Sequence, residues 1–271
     1  MPTEQDLSAL AREIKTARDQ ATTVAPFSSR IDGFSLDVAY AIDAEVHALR
    51  LAEGARPLGR KIGFSNPRMW PKLGLSAPAW ARLYEGTVVQ LDADQGTLSL
   101  AGLLAPRIEP EIVVHFKSAP DLDGGIDGVL DAMDWLATGF EIVQSNYHGA
   151  AVPADAVANS VYHGRLVIGP RVAVADMPPR LADQLERFAL TLSRDGQEIE
   201  KGEGRNVLGS PLRSVLALGD VLSRQPYGPI QAGEIITTGT VTTAHPIAPG
   251  QTWSLAVEGI ALPGLTLAFT D

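Results

Sequence analysis

Pro106-Arg-Ile-Glu-Pro-Glu-Ile-Val-Val-His-Phe116 is an apolar, β-branched run broken by charged positions, and it predicts a strand. Gly139-Phe-Glu-Ile-Val143 reads the same way. In a strand, residues i and i+2 point to one face, so Glu109 and Glu111 project side by side. Two like charges so placed repel, and half-buried they also lose hydration. A cation relieves both problems. With Glu141 as a third carboxylate the site is all oxygen, which favours Mg²⁺, Mn²⁺ or Ca²⁺ over Zn²⁺. A solvated strand face with exposed glutamates is the other reading of the same pattern.

Composition narrows the class. The chain has 271 residues, enough for one large or two small domains, and its 45% hydrophobic content supplies a packed core. A formal net charge of −10 argues against a nucleic-acid or anionic-membrane partner. With no cysteine, disulfides, thiolate metal sites and cysteine nucleophiles are excluded. Met-Pro-Thr-Glu-Gln-Asp has no basic region leading into an apolar run, and no stretch approaches the ~20 apolar residues of a membrane span, so the expectation is a cytoplasmic protein.

Outward from the glutamates, the pattern is α+β: a helical N-terminal region (1–56) leading into a β-rich catalytic body (57–271). Leu7, Leu10, Ala11, Ile14 and Ala17 recur at helical spacing, with Thr3 and Asp6 as a capping box. A second helix is predicted from Ser35 to near Gly54. Residues 57–125 read as strands and ordered loops, followed by a helix around Val129–Leu136. Beyond residue 165 the chain reads mostly as β, with Asp195-Gly196 as a hairpin turn and a single helix at about Pro211–Leu222.

Lys61 stands between Arg60 and Ile62 in a glycine-flanked apolar segment. It reads either as a surface lysine with a packed stem or, near a metal-bound substrate, as a proton carrier with a lowered pKa. Gly202–Gly209 matches neither a Rossmann fingerprint nor a P-loop and reads as a turn. His115 continues the alternation of Glu109 and Glu111, but about 13 Å of strand separates it from Glu111, too far to share an ion. Trp70, Trp80 and Tyr84 read as core or as the wall of a pocket for a flat conjugated molecule. His148 and His163 read as structural histidines or as site-facing ones.

Taken in order, Gly59-Arg-Lys-Ile-Gly-Phe-Ser65, Pro106-Arg-Ile-Glu-Pro-Glu111, Gly139-Phe-Glu-Ile-Val143, Asn206-Val-Leu-Gly-Ser-Pro-Leu212 and Thr237-Thr-Gly-Thr240 form a pattern that resembles the 2-keto-4-pentenoate hydratase and 4-oxalocrotonate decarboxylase family of the fumarylacetoacetate hydrolase superfamily. The resemblance runs from about residue 40 to the C-terminus. It implies a mixed β-roll, Mg²⁺ or Mn²⁺ on Glu109, Glu111 and Glu141, an active-site lysine at Lys61, and a pocket lined by Thr238, Gly239 and Thr240. It also implies a homo-oligomer. This chain departs from the family at Val143-Gln-Ser-Asn146, where Val-Asp-Ser-Arg is common, and at Ala158-Asn-Ser-Val-Tyr-His-Gly164, where Ala-Asp-Asn-Ala-Ser-Ser-Gly is common. Tyr84-Glu-Gly-Thr-Val88 replaces an Asp-Asp-Met stretch. Trp70, Trp80, Tyr162 and His163 are therefore expected to reshape the substrate pocket.

The implied chemistry starts from a 2-oxo acid, or its 2-hydroxydienoate enol, chelated through its carboxylate and C2 oxygen. An enolate forms on the metal, Lys61 relays protons, and water adds to give a 4-hydroxy-2-oxo acid. Decarboxylation of a 2-oxo-3-enedioate of the 4-oxalocrotonate type uses the same electron sink and is the alternative. C–C bond hydrolysis is disfavoured, since no histidine lies between His47 and His115. A non-catalytic 2-oxo acid binding protein stays open because the 143–164 segment is altered.

Overall fold

The computed structural model describes residues 3–271. Helix α1 (Glu4–Asp19) begins with the expected box: the Thr3 hydroxyl accepts from the Asp6 amide, and the Asp6 carboxylate accepts the Thr3 amide at 2.8 Å. Helix α2 (Leu36–Ala52) is capped by the Ser35 hydroxyl. The buried faces of both, Ala11 and Ile14 on α1 and Ala39 and Ile42 on α2, join the same apolar core as the strands.

Strand β1 (Pro57–Gly63) is followed by a single turn, α3 (Trp70–Leu73), then β2 (Ala79–Tyr84), β3 (Val88–Gln90) and β4 (Gln95–Ser99). The deciding segment is β5 (Arg107–Phe116). Helix α4 (Gly125–Ala132) gives way to β6 (Met133–Val143), so the helix expected to reach Leu136 ends earlier. Nearly every residue of β6 is buried, and a strand covered on both faces shows no alternation to separate it from a buried helix.

Helix α5 (Pro153–Ala158) precedes β7 (His163–Ile168) and β8 (Val172–Ala173). Helix α6 (Leu181–Arg187) also interrupts the β-rich half, where a single helix is predicted; its two buried residues, Leu181 and Leu185, are too few to set a visible period. The hairpin β9 (Ala189–Arg194) and β10 (Gln197–Glu203) turns at Asp195-Gly196 as expected. Helix α7 (Pro211–Ser223), β11 (Ile235–Thr240), β12 (His245–Pro246), β13 (Thr252–Glu258) and β14 (Leu265–Thr270) complete the chain.

Among the described residues, nine strands form one sheet in the order β2-β1-β11-β5-β6-β7-β3, with β12 beside β5 and β8 beside β6. Five more form a second sheet, β10-β9-β13-β14-β4. The expected α+β class with a helical start and a mixed, curled β body is what the chain adopts. Among the described residues no helix is long and apolar enough to cross a membrane.

The central strands position the site. Glu109 on β5 pairs directly with Glu141 on β6, and paired residues share a face, so Glu141 joins Glu109 and Glu111. On the other side, Lys61 on β1 pairs with Thr237 on β11, and Thr237 with Val113 on β5. A register shift between Thr237 and Thr240 then turns β11 toward Glu111.

Candidate active site

Glu109, Glu111 and Glu141 each offer a carboxylate oxygen within 4.8 Å of the others. Glu111 and Glu141 are fully buried and Glu109 is half-buried, so the solvated-face reading fails. The carboxylates are held from behind. Glu111 Oε2 accepts the Gly239 amide at 2.7 Å and the Thr237 hydroxyl. Its Oε1 is buried and, among the described residues, has no hydrogen-bond partner. An orphaned carboxylate oxygen beside two further carboxylates is a donor set for a hard cation, so these residues fit a divalent metal.

Glu141 is bracketed. His163 Nδ1 lies 2.9 Å from its Oε1, and Lys61 Nζ 3.1 Å from its Oε2. A carboxylate only accepts, so His163 in its neutral form carries its proton on Nδ1, and its Nε2 lies 2.9 Å from the Thr87 hydroxyl, which also reaches the Tyr84 carbonyl at 2.9 Å. Burial holds the His163 pKa below its ordinary value, which favours this neutral form. His163 therefore acts on Glu141. It is not among the residues lining the cleft, where the sequence led one to expect it.

Lys61 is 2% exposed and donates to the Val161 carbonyl at 3.0 Å. Burial alone would lower its pKa, but the carboxylates, Glu141 foremost, outweigh it and hold the ammonium above its usual range. Burial pushes the carboxyl groups of Glu109 and Glu111 up; at Glu111 the charges of Glu141 and Glu109 add to the rise, whereas at Glu109 the ammonium of Lys61 opposes it. Glu141 is held low despite its burial by Lys61 and His163. Three carboxylates facing one ammonium leave an excess of negative charge, which a cation would balance.

The acceptor for Lys61 sits in an unusual turn. Ser160, Val161 and Tyr162 all have positive φ, at 50°, 48° and 62°. For residues other than glycine this costs roughly 1–2 kcal/mol each. Gly63 makes room for it, since a Cβ there would fall 2.4 Å from Val161 Cγ1.

A cleft of about 840 Å³ opens over Lys61 and Glu109, and Tyr162, Arg68, Arg213 and Thr240 are among its lining residues. Of the expected pocket residues, Thr240 lines it. Gly239 serves through its amide; its φ of +109° and a Cβ position 2.4 Å from Ser65 Oγ leave no space for a side chain. Thr238 turns away and donates to the Ile112 carbonyl at 2.9 Å.

The tryptophans lie elsewhere. Trp80 pairs with Ile62 and Ala81 with Lys61, so Trp80 is on the face opposite the lysine. It stacks on Tyr40 and is flanked by Arg60 and Arg82, whose Cζ atoms lie 5.3 and 4.9 Å from its ring. Trp70 is half-buried and its indole donates to the Phe64 carbonyl at 2.7 Å, outside the cleft lining. Thr237, Thr87 and the Val161 carbonyl were not anticipated. Thr237 opens the quoted Thr237-Thr-Gly-Thr240 motif without having been assigned a role, and strand alternation with Gly239 is the signal for it. Arg205 and Asn206, in the glycine-rich segment read as a turn, also line the cleft.

No family model matches the chain. The chain is 31% identical over 276 residues to the 2-hydroxyhexa-2,4-dienoate hydratase of Comamonas testosteroni, covering 100% of each. It is 26% identical over 265 residues to the 2-keto-4-pentenoate hydratase of Burkholderia vietnamiensis, covering 96% of this chain and 97% of that one. The 4-oxalocrotonate decarboxylase from Pseudomonas putida G7, solved with magnesium and adipate, superposes with a TM-score of 0.90 at 25% identity over 99% of both chains. The fumarylpyruvate hydrolase from Pseudomonas aeruginosa shares the fold at a TM-score of 0.58 and 16% identity, over 79% of this chain and 89% of that one.

Proposed function

This chain belongs to the 2-keto-4-pentenoate hydratase and 4-oxalocrotonate decarboxylase family, and from that premise we propose that it hydrates a 2-hydroxy-2,4-dienoate to a 4-hydroxy-2-oxo acid. It is a lyase, and it takes a small-molecule substrate. The observation that carries the reading is the cluster of Glu109, Glu111 and Glu141 beside Lys61, with Glu109 and Lys61 lining the cleft. These carboxylates would hold a divalent cation, Mg²⁺ or Mn²⁺. When bound, it supplies Lewis acidity at the C2 oxygen of a 2-oxo acid.

The chain's own groups do the rest. The Thr237 hydroxyl and Gly239 amide fix Glu111, and His163 fixes Glu141, so the carboxylates keep their geometry as charge changes in the cleft. Lys61 Nζ holds a proton between Glu141 and the Val161 carbonyl and is the group placed to move it. In the conversion, the enol proton leaves the C2 oxygen and a proton is delivered to C5. Water's oxygen then bonds to C4 and a proton ends on C3. Lys61 serves these transfers as general acid and base. Thr240 and Tyr162, on the cleft wall, border the substrate chain.

Decarboxylation of a 2-oxo-3-enedioate is the second reading. Arg68, Arg205 and Arg213 line the same cleft, and they suit a second carboxylate. The test is a proton NMR time course in D₂O with 2-hydroxypenta-2,4-dienoate, with and without Mg²⁺. Metal-dependent 4-hydroxy-2-oxo acid is expected. Deuterium uptake at C3 or C5 without hydration would transfer the assignment to enedioates and CO₂ release; no signal from either substrate would leave a 2-oxo acid binding protein. Lys61→Ala is expected to retain metal binding and lose exchange at C3, and exchange at the wild-type rate would remove the lysine from the mechanism. Homo-oligomeric assembly belongs to the same proposal, and light scattering at the 28.7 kDa chain mass would refute it.

A further inference from the structure

The left-handed turn at Ser160–Tyr162 is held at both ends by one side chain. Arg18, near the end of α1, donates through Nη1 to the Asn159 carbonyl at 3.0 Å and to Asn159 Oδ1 at 3.1 Å. Its Nη2 donates to the His163 carbonyl at 2.9 Å. These carbonyls immediately flank the three positive-φ residues. Inside the bracket, the Val161 carbonyl takes the Lys61 ammonium, and the His163 ring takes Glu141. A backbone conformation that L-residues avoid persists only when its surroundings enforce it. The planar, fork-shaped guanidinium is suited to pin two carbonyls at a set separation.

We propose that Arg18 is a positioning residue for proton transfer: by clamping Asn159 and His163 it forces the turn that aims the Val161 carbonyl at Lys61. The inference rests on Lys61 being the proton carrier. It makes the first helix part of the active-site apparatus, although Arg18 does not line the cleft. Helix α1 has its own anchorage through Ala11, Ile14 and Ala17, so loss of the guanidinium leaves the helix docked.

The test compares Arg18→Ala, Arg18→Lys and Lys61→Ala with the wild-type protein. Hydration of 2-hydroxypenta-2,4-dienoate with Mg²⁺ gives kcat and KM. Amide exchange is followed across 159–163 in the metal-free protein, where the Tyr162 amide bonds the Asn159 carbonyl. Arg18→Ala is expected to lower kcat about tenfold to a hundredfold with KM within about twofold, as a small misplacement of a reacting group does. The Tyr162 amide should exchange faster, and millimolar guanidinium should restore both protection and kcat. Arg18→Lys keeps the charge and loses the fork, and should fall between; it also serves if Arg18→Ala does not fold. An unchanged kcat per folded molecule in the Arg18 variants overturns the proposal. So does a lower kcat with wild-type exchange at 160–162. Should Lys61→Ala retain full activity, the lysine reading fails instead, and exchange protection alone decides whether Arg18 clamps the turn.

Discussion

The Thr237 hydroxyl and the Gly239 amide both converge on one oxygen of Glu111, leaving the other oxygen free to face the neighbouring carboxylates. Such outer contacts orient a ligand that would otherwise rotate to solvate its charge. Thr237→Val removes the hydroxyl and keeps the amide. It is expected to weaken Mn²⁺ binding by about tenfold to a hundredfold, read by calorimetric titration; an unchanged dissociation constant would take Thr237 out of the site. The glutamates themselves were legible, because the two-residue period of a strand is local and places Glu109 beside Glu111 whatever the rest of the chain does. The burial of Lys61 was not, since most lysines are solvated and only the packed sheet shows that this one is enclosed. The Val161 carbonyl was invisible in principle: every residue has one, and its role comes from the turn that presents it.

At the level of elements, α2 and β2 are joined by His47, whose Nδ1 lies 2.8 Å from the Tyr84 hydroxyl. Burial, and then the charge of Arg82, pull the His47 pKa down to about 4. In the unfolded chain it returns to about 6.5. The folded pKa is the lower, so the contribution to stability is complete above about pH 6.5 and is lost as the pH falls toward 4. Urea unfolding at pH 7 and pH 5 should show a loss of about 1 kcal/mol attributable to this ring, a figure reduced for its partial exposure. His47→Gln is the control, because the difference between the two proteins isolates the histidine from the carboxylates. If both lose stability equally between these pH values, the coupling is absent. Elements with caps and one clean face, such as α1 and α2, were readable to within a residue or two. Strand β6 misled at its start because it is buried on both sides, and α5 and α6 are too short for a 3.6-residue period to emerge.

For the whole molecule, the metal-free fold carries a concentrated repulsion at its centre, and a bound cation should stabilise it through linkage. At a hundredfold excess over its dissociation constant the gain is about 2.7 kcal/mol. Thermal unfolding in chelator and in excess Mn²⁺ should differ accordingly. Glu109→Gln should unfold at a higher temperature than the wild type in chelator, and gain little from Mn²⁺. A cation shift of wild-type size in that variant would argue against Glu109 as a ligand. The fold class was legible from the order of periodicities along the chain, whereas the strand order was not, because neighbours in the sheet are remote in sequence. Strand β11 illustrates this. It lies between β1 and β5, both synthesised long before it. During translation the middle of the sheet therefore stands open, with two edges unpaired, until residue 240 has left the ribosome. A nascent chain at that stage has its glutamates but lacks the threonine and amide that orient Glu111, so the full carboxylate arrangement is assembled only when the sheet closes around β11.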